Sequence, residues 1–110
     1  MLKPELHSFT VAHESWGGKA DDFLIQIELD IGASSIQGSE TFTITVVSPT
    51  RLEKALELNE TEFGRGMLIT RNYDLSRVRS SIEKRIQTCS GETWAEIASN
   101  LSKYFRWEYD

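Results

Sequence analysis

The sequence predicts an α+β fold, an antiparallel sheet of about four to five strands with two C-terminal helices packed on one face. Two observations carry this. Residues 23–31 and 41–47 alternate apolar and polar side chains, the period of a strand with one wet face. After residue 74 the period changes, and Leu75, Val78, Ile82 and Ile86 step by three, four and four, which is the apolar stripe of a helix.

Along the chain, Glu5 to Ala12 alternates weakly and reads as a first strand. His13 to Asp22 follows as a polar, glycine-containing loop around Trp16. In the next strand Phe23, Ile25, Ile27, Leu29 and Ile31 face inward, with Gln26, Glu28 and Asp30 outward. Residues 32–38 are rich in turn formers. Phe42, Ile44 and Val46 then point inward against outward threonines, until Pro49 ends the strand. Leu52, Ala55 and Leu56 suggest a short helix over Arg51 to Leu58, and Phe63 to Thr70 reads as a strand interrupted by Gly64 and Gly66.

Asp74 is placed to cap the first C-terminal helix and Gly91 to end it. Thr93 and Glu96 have the spacing of a capping box, each side chain serving the other's backbone donor, and Trp94, Ile97, Leu101 and Phe105 form a second stripe. The short link implies an antiparallel helix pair. Phe105, Trp107 and Tyr109 alternate with Arg106 and Glu108 as a closing edge strand. With no internal repeat or low-complexity linker, residues 1–110 read as one domain.

Composition narrows the class. Hydrophobic residues make up 39% and charged residues 26%, a globular balance that excludes a disordered chain. Cys89 is the single cysteine, so no disulfide forms within the chain. Met1 to Glu5 lacks the apolar core of a signal peptide, and no apolar run approaches the length of a bilayer span. These features predict a cytoplasmic protein that engages no membrane. The formal net charge is −5, and residues 1–50 hold two basic against seven acidic side chains. Such a surface repels phosphate backbones, arguing against a nucleic-acid partner, and attracts basic proteins. The bland reading of the charge is solubility alone.

Reactive groups are sparse. His7 and His13 lie six residues apart, roughly 20 Å along an extended chain, too far to share a metal. Cys89 continues the apolar stripe of its helix and reads as a small buried hydrophobe. Gly64-Arg65-Gly66 lacks the third glycine of a nucleotide fingerprint. Arg77, Arg79, Lys84 and Arg85 read as a solvated helix face. No catalytic residue, metal or cofactor is expected, which leaves binding. Trp16 stands in a polar loop flanked by Glu14, Asp21 and Asp22, while Glu57, Glu60 and Glu62 precede Phe63. Acid around an aromatic suits the docking of a basic partner; the competing reading is that Trp16 folds back to cap the core, since large aromatics rarely stay fully exposed.

The run Gly66 to Asp74, the helix Leu75 to Cys89 and the block Gly91-Glu92-Thr93-Trp94-Ala95-Glu96-Ile97-Ala98 resemble the immunity protein 8 family. Phe42 to Pro49 and Phe105-Arg106-Trp107-Glu108-Tyr109 fit the same pattern. The resemblance covers roughly residues 23–110, and its most specific elements are the Gly-Glu-Thr-Trp helix start and the terminal Trp-Glu. It implies a bacterial polymorphic-toxin or contact-dependent inhibition system, in which such a protein binds a cognate toxin C-terminal domain, often a nuclease, and protects the producing cell. It assigns no binding residue. The alternative from another class is a small non-enzymatic adaptor or assembly factor that binds a cellular protein.

Overall fold

A computed structural model describes residues 1–34 and 37–110, so the middle of the turn expected over 32–38 lies outside the described residues. In chain order the elements are β1 (Pro4–Trp16), β2 (Phe23–Ala33), β3 (Glu40–Val47), α1 (Pro49–Asn59), β4 (Met67–Ile69), α2 (Leu75–Gln87), α3 (Trp94–Leu101) and β5 (Arg106–Trp107). The sheet runs β1-β2-β3-β4, and β5 pairs with β3 beside β4. The fold is α+β.

The first strand is longer than its weak alternation suggests, and the register explains why. Shifts between Leu6 and Ser8 and between Val11 and His13 each insert a residue and reset which side chains face inward. Leu6, Phe9 and Val11 thereby all reach the core, at spacings that no single strand period describes. The chain is also still in β1 at Trp16, so the polar loop shrinks to residues 17–22.

The sheet is mixed rather than wholly antiparallel. Strands β1, β2 and β3 pair antiparallel, but β4 runs parallel to β3, with Thr45 opposite Met67 and Val47 opposite Ile69. Pro49 ends β3 and opens α1, and a strand that returns after a helical crossover arrives in its original direction. The strand expected over Phe63–Thr70 keeps only Met67–Ile69, and Phe63 is left in solvent.

On the covered face Phe23, Ile25, Ile27, Leu29, Phe42, Ile44 and Val46 form one buried cluster with Val78, Ile82 and Ile86 of α2 and Ile97, Ala98 and Leu101 of α3. Phe105 and Cys89 complete it, and Trp107 stacks on Phe42 with ring centroids 6.2 Å apart. Asp74 caps α2, its carboxylate accepting from the Arg77 N–H at 3.2 Å.

Two details of the α3 entry differ from expectation. Thr93 accepts from the Glu96 N–H at 3.2 Å, but the Glu96 carboxylate reaches past Thr93 to the Glu92 N–H at 2.8 Å. Gly91 does not end α2. It exchanges backbone hydrogen bonds with Leu2, and a Cβ there would approach Glu96 Cβ to 2.9 Å. Close approach, not a helix cap, is what requires glycine at this point.

Candidate functional site

Where β1 hands over to β2, the chain turns tightly. The Gly17 N–H donates to the Asp22 carbonyl at 2.8 Å, and a Cβ on Gly17 would lie 2.0 Å from Asp22 Oδ2, so only glycine fits against this carboxylate. Asp22 itself is buried and ion-paired: Arg51 Nε lies 2.6 Å from one carboxylate oxygen, and the Lys54 ammonium holds the other. Hydrogen bonds from Lys54 and Arg51 keep the Asp22 carboxyl below the usual carboxylate range despite its burial. Arg51 also donates to the Ser15 hydroxyl at 2.9 Å.

Ser48 joins the same junction. Its hydroxyl accepts from the Arg51 N–H that opens α1 and from the Phe23 N–H that opens β2, each at 3.1 Å. One buried hydroxyl therefore ties the start of the helix to the start of the central strand.

Against this rigid corner rests Trp16. Its ring packs on Phe23 at 5.2 Å and edge-on to Tyr73 at 5.9 Å, while 45% of its surface stays open to solvent. The indole N–H donates to the Glu14 carboxylate at 3.0 Å, which fixes the exposed edge. Trp16 thus caps the core and presents an aromatic face at once. Asp21, in the turn after β1, is exposed and accepts from the Thr50 hydroxyl in the first turn of α1 at 3.5 Å.

The acids predicted to act with Trp16 separate into two groups. Glu14 holds the Trp16 indole N–H, and Asp21 lies in the turn that follows β1. Asp22 does not join them, since two cations occupy its carboxylate. Glu57, Glu60 and Glu62 lie at the far end of α1, because nine helical residues from Arg51 to Glu60 advance about 14 Å. None of the described residues of α1 is buried, and the helix presents Glu53 to solvent between the two groups. At its end Glu60 adopts φ 64°, the sparsely used left-handed region, and throws the chain into an exposed loop. Leu58 and Phe63, 85% and 88% exposed, project there among the three glutamates. Sequence reasoning placed Phe63 in a strand and overlooked both apolar side chains. The signal was the density of charge around them.

A family model, Immunity protein 8, matches residues 5–110. The chain belongs to the immunity protein 8 family. The match takes in nearly all of β1 and the turn over 17–22, which the resemblance over residues 23–110 did not reach. No curated protein and no solved structure matches the chain.

In this immunity protein the family-like motifs serve the fold. Thr93 caps α3, Trp94 donates its indole N–H to the Glu40 carboxylate and meets Phe42 edge-on, and Trp107 pairs opposite Phe42. Cys89 is buried, burial pushes its thiol up, and its S–H points to the Arg85 carbonyl at 3.4 Å, an environment that disfavours the reactive thiolate. No group of three or more metal-ligating side chains occurs among the described residues, and no described helix is long and apolar enough to cross a membrane. On the uncovered sheet face Asp30 accepts from Ser8 at 2.6 Å and Thr41 at 3.0 Å, so its carboxylate is already engaged. The outstanding surface is therefore the acidic one around Trp16 and along α1.

Proposed function

We propose that this immunity protein neutralises a cognate bacterial toxin domain in the cytoplasm by direct, stoichiometric binding, and that a basic face of the toxin docks on the acidic surface built from Trp16, Glu14, Asp21, Glu57, Glu60 and Glu62. The observation that carries the reading is the half-exposed Trp16 ring, packed on Phe23 and Tyr73 with its indole N–H on the Glu14 carboxylate. A fixed aromatic with acid beside it can take an arginine or lysine through both cation–π attraction and ion pairing. Asp22 contributes by anchoring α1, with no contact to the partner. Leu58 and Phe63 supply apolar area at the second acidic group.

The test is co-expression with the toxin domain encoded beside the gene. Growth should be rescued by the parent protein and impaired by Trp16→Ala combined with Asp21→Lys. Rescue that survives both changes would move the interface elsewhere, and the absence of rescue by the parent would remove the toxin-neutralising reading.

A further inference from the structure

The parallel pairing of β4 leaves one row of its peptide groups unused. The Gly66 carbonyl accepts from the Thr45 N–H at 2.8 Å, and the Thr70 N–H donates to the Val47 carbonyl at 3.1 Å. With Met67 opposite Thr45 and Ile69 opposite Val47, this parity aims the Leu68 peptide groups at β3 and turns the Met67 carbonyl and the Ile69 N–H and carbonyl outward. Among the described residues no strand covers that side, because β5 pairs with β3 farther along, at Phe42 and Thr43. The opposite edge of the sheet, β1, carries two register shifts that blunt it, whereas β4 pairs in unbroken register.

Beyond the β4 edge a groove opens towards α2. It consists of two adjoining depressions that share Leu68 and Ser81. One, of about 270 Å³, is lined by Arg65, Arg85, Lys103 and Tyr104; the other, of about 440 Å³, by Arg71 and Arg77. Leu68, Val78 and Ile82 give it an apolar floor. Two carboxylates offset these cations: Asp74, 3.8 Å from Arg77, and Asp110, 2.7 Å from Arg65. Arg85 lies over the Tyr104 ring at 4.4 Å and has no carboxylate partner among the described residues. A concentrated positive wall on a protein of net charge −5 is a local reversal that solubility does not explain.

We infer that this groove receives an extended acidic segment of a partner protein, which adds to β4 as a further strand. The spacings agree. Arg77 and Arg85 lie two four-residue steps apart on α2, about 12 Å, which an extended strand spans in about four residues. Acidic side chains at positions i and i+4 of the segment share one face and meet both arginines, while the apolar floor takes the side chain at i+2 between them. A free strand edge and an apolar floor favour a peptide over a nucleic acid, whose backbone offers no ladder partner. Tyr73, in contact with Trp16, brings one end of the groove near the acidic surface, but the groove is built from other residues and does not rest on the toxin reading.

The probe is a short fluorescent peptide repeating Glu-Ser-Val-Ser, which sets Glu at i and i+4 and Val at i+2 on one face, compared with its counterpart carrying Lys for Glu and with single-stranded DNA of equal charge. Titration should show binding of the Glu peptide alone, weakening with salt, and saturation should slow hydrogen exchange at the Ile69 N–H. Reversal by Arg77→Glu with Arg85→Glu should weaken binding at least about tenfold. Ile69→Pro removes an outward donor without breaking a bond to β3, so it should weaken binding about tenfold while circular dichroism stays unchanged. Failure of the Glu peptide to bind, equal binding of the Lys peptide, or preferred binding of DNA would overturn the inference. So would unchanged exchange at Ile69 in the saturated parent protein, a measurement that does not depend on how the proline variant folds.

Discussion

The ionised Asp22 carboxylate sits between the Lys54 ammonium and the Arg51 guanidinium, and its role follows from that position. Its folded-state pKa is depressed, so its contribution to stability is complete above the ordinary carboxylate pKa of about 4 and is lost as pH falls through the lower folded value. Asp22→Asn should therefore lower the unfolding midpoint at neutral pH, with the difference from the parent closing as the denaturation series is carried below about pH 4. A constant difference down to pH 2 would show that the ion pairs contribute nothing. Ser48→Ala removes a helix cap and strands the buried Phe23 N–H, an expected loss of about 1–3 kcal/mol in urea unfolding. Trp16→Ala tests the proposed interface role of this side chain against its part in the fold. Loss of the Phe23 and Tyr73 contacts should cost about 1 kcal/mol of stability, whereas toxin affinity should fall by about 2 kcal/mol or more in calorimetric titration. A stability loss larger than the affinity loss would assign the ring to the core alone.

The helices divide between holding the fold and presenting charge. α2 and α3 bury their stripes, so truncating Ile82 or Leu101 to alanine leaves a cavity and should cost about 2–5 kcal/mol. A neutral result in chemical denaturation would mean that the buried stripes contribute little to stability. α1 buries none of its described residues, is tied down at its first turns by Ser48, Arg51 and Lys54, and carries its acids outward. Reversing Glu57 and Glu60 to lysine should leave stability within about 0.5 kcal/mol. The same reversal should slow toxin association steeply at low salt and little above physiological strength, where charges are screened beyond about 8 Å. An association rate indifferent to both the reversal and the salt would take this end of α1 out of the interface.

Across the whole molecule, one buried cluster joins the sheet to both C-terminal helices, and unfolding should be a single transition seen alike by tryptophan fluorescence and far-ultraviolet dichroism. The net charge conceals a division: acids gather around Trp16 and α1, cations along the β4–α2 groove. The sequence alone determined the α+β class, the two sheet-facing alternations, the helix stripes and the caps at Asp74 and Thr93, because side-chain periodicity and capping are local properties of consecutive residues. The family match followed from the same local patterns. What only the tertiary structure decided depended on residues distant along the chain. Asp22 reads as one more surface acid until α1 folds back and places Arg51 and Lys54 on it. Phe63 reads as the start of a strand, yet the pairing of β4 with β3 begins at Met67, opposite Thr45, and ends at Ile69, opposite Val47. The direction of β4, and with it the outward row of peptide groups over a cationic groove, was set by the crossover through α1, since strand pairing is a contact between segments whose separation no local period records.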